Sequence, residues 1–189
     1  MIGKRLTKFA EDNNLTIYDE IAYGYYNGYM MTLNQSHHYT ISVSFAVRIY
    51  NTPYGRKYSE LLCDHKNKVT WSVSDIIFTE SYLEIFFNDT GNTIEKIKSC
   101  IDTVTEMMKV DGVAANDVCS VCGDPIDPNA SGLYLYEGKA QIMNHNCVTK
   151  LNNELAEKKR KYNSLKYRIL VKLKRKRRII FPKKIVKLK

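Results

Sequence analysis

Residues 39–50, YTISVSFAVRIY, alternate more strictly than any other segment of the chain. Ile41, Val43, Phe45, Val47 and Ile49 fall on one parity, and Thr40, Ser42, Ser44, Ala46 and Arg48 on the other. Successive side chains leave a strand on opposite faces, so this pattern makes one apolar face and one mostly polar face. Such a strand belongs in an antiparallel sheet covered on one side. The segments around it must therefore supply partner strands and the cover.

They do. Asn27-Gly28 is a strong hairpin signal, because both residues accept the positive φ of a type I′ turn. It predicts strands at about 16–26 and 29–34. Two more strands are expected at about 69–78 and 82–88, within VTWSVSDIIFTESYLEIFFND. Three helices are expected as well. Residues 3–14 space Leu6, Phe9 and Ala10 helically, KYSELLCDHK reads as a second helix, and TIEKIKSCIDTVTEMMKV as a third. The third places Ile94, Ile97, Ile101, Val104 and Met108 on one stripe, with Thr93 as cap and Glu95 in the first turn. The fold class is thus α+β, an antiparallel sheet with helices in the order α-β-β-β-α-β-β-α. The small-residue run DGVAAND, 111–117, marks a boundary.

That element order resembles the type III secretion chaperone-like fold, also seen in YbjN-like proteins, over about residues 1–110. The resemblance implies a domain that binds other proteins, with dimerisation common.

Beyond the boundary lie CSVCG, 119–123, and NHNC, 144–147. Cys119, Cys122, His145 and Cys147 form the pattern C-x2-C-x22-H-x-C, a four-ligand set of the type that structural zinc prefers. Gly123 permits the turn that aims the first two thiols at one ion. Between the pairs, GLYLYEGKAQIM reads as a hairpin turning near Glu137-Gly138, and a long helix begins near Cys147. Knuckle, hairpin and helix in that order resemble a treble-clef zinc finger over about 117–165, which implies that the last ligands sit at the helix start. The single residue between His145 and Cys147 departs from the usual two or three. A redox dithiol and a pair of buried cysteines are the competing readings of CSVCG. The turn formers that follow it disfavour the first, since a redox C-x-x-C usually opens a helix. Cys63 and Cys100, on predicted helices, read as small buried hydrophobes. His37-His38 reads as a solvated loop.

Charge is divided unevenly. Residues 150–189 hold 17 Lys/Arg against 2 Glu, whereas residues 1–149 hold 12 against 18 Asp/Glu, and the whole carries +9. A basic tail on an acidic body points to phosphate, on nucleic acid or on an anionic membrane. The expected contacts are Lys172, Lys174, Arg175, Lys176, Arg177 and Arg178. A solvated tail without a partner is the bland alternative. Tyr18, Tyr23, Tyr25, Tyr26 and Tyr29 crowd the first hairpin. They read either as core or as a surface for a protein partner or a second copy. No Lys or Arg interleaves from 9 to 47, which removes the electrostatic half of a nucleic-acid site there.

The expected organisation is an α+β chaperone-like domain (1–112), a treble-clef-like zinc module (117–165) and a basic tail (166–189). FAEDNNLTIYDEIAYGYYNGY followed by CSVCGDPI is also similar to the soluble heads of uncharacterised Gram-positive bacterial proteins, in which a hydrophobic membrane segment follows the zinc-binding part. Here nothing that hydrophobic follows. The start lacks the apolar core of a signal peptide, and the odd, scattered cysteines do not make a disulfide scaffold. A cytoplasmic location is expected, with peripheral membrane contact as the variant. No Gly-rich phosphate loop, nucleophile elbow or HExxH is present. The expected function is a non-enzymatic interaction or adaptor protein with one Zn2+. The alternatives are an RNA- or DNA-binding zinc protein and a peripheral membrane protein.

Overall fold

The computed structural model describes residues 3–35, 40–49, 52–79, 81–88, 94–115, 118–163 and 185–188. Thr93, His37-His38 and the six cations expected to touch phosphate, Lys172, Lys174, Arg175, Lys176, Arg177 and Arg178, lie outside them.

The chain forms an α+β fold built on a six-stranded antiparallel sheet. In chain order come α1 (Lys4–Asp12), β1 (Thr16–Tyr18), β2 (Ile21–Tyr26), β3 (Tyr29–Gln35), β4 (Thr40–Phe45), α2 (Pro53–Cys63), α3 (His65–Trp71), β5 (Val73–Phe78), β6 (Leu83–Asn88) and α4 (Ile94–Val110). The strand order is β1-β2-β3-β4-β6-β5. A second, three-stranded sheet follows, made by β7 (Ser131–Tyr136) and β8 (Lys139–Asn144), with β9 (Val186–Lys187) on the far edge of β7. Between them runs α5 (His145–Asn163).

Local chemistry sets several boundaries differently from the sequence expectation. The first long strand is broken, because Asp19 takes a positive φ of 56° and turns β1 back onto β2. Residues 69–71 are helical, not extended. The Asp64 carboxylate accepts from the Asn67 N–H at 3.0 Å to start α3, and Ser72 ends it at φ 54°. Asn27 and Gly28 take the positive φ values the β2–β3 turn requires, 51° and 93°.

One face of the sheet carries the main core. Ala22 and Tyr26 of β2, Met31 and Leu33 of β3, Ile41, Val43 and Phe45 of β4, and Leu83, Ile85 and Phe87 of β6 all point into it. Leu6, Phe9 and Ala10 of α1, Leu62 of α2 and the Ile97–Met108 stripe of α4 cover it. Cys100 lies within this core, and burial pushes its thiol up to about 12. Cys63, expected to be buried too, is exposed at the end of α2, where Leu62 takes the inward position.

The opposite face was expected to meet water. Instead Ser42, Ser44, Thr32 and Glu84 are all buried. The β7–β8 hairpin covers this face. The Ala140 N–H donates to the Thr32 hydroxyl at 2.8 Å, and Lys139 pairs with Glu84 at 3.0 Å while lying 4.5 Å from the Tyr82 ring centroid. Ile21, Tyr23, Met30, Ala140 and Leu188 form an apolar cluster alongside. The polar parity of β4 therefore faces protein polar groups, not solvent.

The tyrosines divide between the two readings. Tyr23, Tyr26 and Tyr29 are buried, whereas Tyr18 and Tyr25 are 42% and 59% exposed. Two of the buried rings, Tyr26 and Tyr29, use their hydroxyls as ties. Tyr26 donates to Asp102 at 2.6 Å and Tyr29 to the Val113 carbonyl at 3.1 Å. From α2, Tyr58 donates to Asp111 at 3.0 Å. A buried phenol needs such a partner, and here each one fixes α4 or the segment after it to the body.

Within the expected basic tail, the described residues 185–188 pack and pair with the second sheet. Lys187 and Val186 pair with Tyr134 and Leu135 of β7, and the Leu188 N–H donates to the Leu133 carbonyl at 2.9 Å. Ile185 and Leu188 are each only 6% exposed.

Candidate metal centre

The knuckle at residues 118–125 is a tight, hydrogen-bonded turn. Val118 bridges to Pro125, the Cys119 N–H donates to the Asp124 carbonyl at 2.8 Å, and the Gly123 N–H returns to the Cys119 carbonyl at 2.9 Å. Gly123 makes the return at φ 80°, a conformation that costs glycine least. The Arg48 guanidinium lies close over it, 2.8 Å from where a Cβ would stand, and would have to move aside for a side chain. The knuckle is tied to its surroundings on two sides. The Ser120 N–H donates to the Ile142 carbonyl of β8 at 3.0 Å, and the Ser81 hydroxyl donates to the Ser120 carbonyl from the body.

The β7–β8 hairpin turns through Glu137 and Gly138, both at positive φ as expected, 51° and 79°. It delivers the chain to α5, whose first turn carries Cys147. The ligand atoms of Cys119, Cys122 and Cys147 lie within 4.8 Å of one another. Zinc–sulfur bonds of about 2.3 Å at tetrahedral angles place sulfurs about 3.8 Å apart, so modest contraction completes the set. The three differ in depth: Cys119 is buried, Cys147 partly so and Cys122 exposed.

The electrostatics suit a cation. Burial alone would raise the Cys119 thiol, but backbone N–H groups of Cys122, Asn144 and Val121 point at the sulfur and hold it below the ordinary thiol range. The Asn144 contact is 3.4 Å. Cys147 is pushed up to about 12 by burial, by hydrogen bonds to the Cys122 and Cys119 sulfurs, and by their charge. Three thiolates this close repel one another, and a divalent ion converts that repulsion into ligation.

The expected fourth ligand is placed elsewhere. His145 is not among the converging donors. It is the first residue of α5, and its ring sits edge-on to Tyr134 with centroids 6.3 Å apart and planes at 88°. Residues two apart on a helix point about 200° away from each other. With α5 beginning at His145, its imidazole lies outside the group that the three sulfurs form.

No family model, curated protein or solved structure matches the chain.

The ties around the centre were not foreseen: Arg48 over Gly123, Ser81 to Ser120, and Ile185 packed with Cys119, Tyr134, Met143 and Val148. Only the last left a trace in the sequence, as the apolar residues Ile185, Val186 and Leu188 inside a basic run.

Proposed function

We propose that the chain is a non-enzymatic interaction protein whose second sheet and α5 are fastened by a structural zinc ion. What supports the reading is the meeting of three sulfurs from a glycine-relaxed knuckle and a helix start. The apolar cluster at the module's own centre has five buried residues, Cys119, Tyr134, Met143, Val148 and Ile185. So small a core contributes little on its own, whereas structural zinc contributes on the order of 10–16 kcal/mol in small domains. All-thiolate donors also suit a structural ion better than a hydrolytic one.

The chaperone-like character of the body stays part of this reading, although four strands and two helices, not three and one, lie between α1 and β5, and the outer strand supports a protein partner or a second copy. β1 is an outer strand of the sheet, and Ile17, Tyr18 and Tyr25 beside it are 40%, 42% and 59% exposed. An outer strand with exposed apolar side chains offers both backbone and side-chain contacts. The nucleic-acid reading rests on a different observation. Lys158, Lys159, Arg160 and Lys161 are exposed along α5, and ten Lys/Arg and no acid follow in 164–184. The described residues contain no helix long and apolar enough to cross a membrane.

Metal analysis of the purified chain tests the centre, with one zinc per chain expected. Cys119→Ser is expected to lose the metal and to unfold the second sheet at lower urea. Absence of zinc, or a Cys119→Ser protein indistinguishable from the parent, sinks the reading. RNA or DNA binding that falls steeply with salt and disappears on deleting 158–189 would transfer the function to the alternative.

A further inference from the structure

The three-sulfur set has a consequence for what the ion can bind. It rests on the zinc reading above. Among the described residues, no other His, Cys, Asp or Glu joins Cys119, Cys122 and Cys147. His145 lies outside this group: its ring sits edge-on to Tyr134 with centroids 6.3 Å apart, and its backbone N–H donates to the Ala130 carbonyl at 2.8 Å. The three sulfurs are graded in depth from Cys119, fully buried, to Cys122, exposed, so the centre opens to solvent on the Cys122 side. Zinc with three protein ligands keeps its remaining position for water or another incoming donor.

We infer that Cys119, Cys122 and Cys147 alone hold the ion, with His145 outside its shell, and that the fourth position takes an exchangeable neutral donor from outside the chain. Three thiolates on Zn2+ leave a net charge of about −1. A neutral nitrogen donor such as an imidazole adds no further charge, whereas a fourth thiolate would bring the centre to about −2. If Cys119, Cys122 and Cys147 held the ion, a neutral nitrogen donor would displace one water by donating its lone pair, with no proton or electron transferred. A histidine on a partner protein could thus reach the ion directly, and the metal would be part of the contact as well as a fastening.

The experiment uses the full chain loaded with Co2+, whose visible spectrum reports the donor set, with free imidazole as the probe. The parent and His145→Ala are expected to show the same spectrum and zinc affinities within about threefold of each other, an effect smaller than a single outlying partner usually has. Imidazole is expected to shift both spectra saturably, as one site. His145 is exposed, so its truncation does not disturb the core. The inference is overturned if His145→Ala loses roughly tenfold or more in zinc affinity, if it alters the cobalt spectrum, or if imidazole leaves the parent spectrum unchanged. The zinc reading fails separately, and takes the inference with it, if the parent shows no cobalt–thiolate absorption or if Cys147→Ser shows the same absorption as the parent.

Discussion

Truncating Leu188 to alanine asks whether the end of the chain is a tail or a structural strand. Leu188 is 6% exposed and packs with Ile21, Tyr23, Met30 and Ala140, bridging the second sheet to the first. A Leu→Ala change in a packed site costs about 2–5 kcal/mol. The strand is only two residues long, so it can undock locally, and the loss cannot exceed the free energy that docks it. The expected cost is therefore the low end, about 2 kcal/mol. The same cap predicts that Ile185→Ala with Leu188→Ala together costs less than the sum of the singles, although the two side chains enter different clusters. Urea unfolding at constant m-value measures the loss. Amide exchange at Leu188, whose N–H bonds to Leu133, reports the undocking directly. A Leu188→Ala cost within about 0.5 kcal/mol, the range of ordinary surface changes, together with an unprotected Leu188 amide, would refute β9 as a strand of the fold.

Two further outcomes follow from the polar groups. Glu84 and Lys139 pair at 3.0 Å with side chains only 9% and 15% exposed, so Lys139→Met should cost about 3 kcal/mol by stranding a buried carboxylate, while Glu84→Leu with Lys139→Met should recover most of the loss. Chemical unfolding of the double-mutant cycle checks this, and two additive singles would contradict it. Burial would raise the Asp102 carboxyl, but Lys98, Tyr26 and Asn27 together hold it below its usual range. A depressed carboxyl stabilises the fold above its unfolded value, about 3.9, and that contribution is lost as pH falls through the folded value. Asp102 is 41% exposed on its side chain, so solvent screening keeps the effect small. Asp102→Asn should flatten the acid limb of the stability profile and leave its shape near neutrality unchanged, as thermal melts across pH would show.

The apolar parity of each strand was legible because it answers to one demand, burial against helices that the same sequence encodes. Ile41, Val43 and Phe45 fall inward as their spacing requires. The polar parity was not legible in the same way. Ser42 and Ser44 look the same in sequence whether they face water or a second layer, and here a hairpin about a hundred residues later supplies the layer. The boundaries at Asp19 and Asp64 were missed for a related reason. Each depends on one side chain or one positive φ overriding a β-like run, Val69 to Trp71 being drawn into α3 by the Asp64 cap. At the metal centre, spacing identified Cys119 and Cys122, three positions apart in a glycine turn, and pointed to Cys147 at the expected helix start. It could not place His145, because that depended on where α5 starts, and helix starts shift by a residue or two with capping.

The start of α5 bears directly on where His145 stands relative to the three sulfurs. With the helix beginning at Cys147, His145 would lie in the preceding loop and could close a four-ligand shell. With it beginning at His145, the imidazole and the Cys147 thiol leave the helix on opposite sides. The helix begins early because β8 runs straight into it at Asn144, whose N–H points at the Cys119 sulfur, while the next N–H is taken by Ala130. The Asn144 bond thus ties the start of α5 to the knuckle that carries two of the three sulfurs.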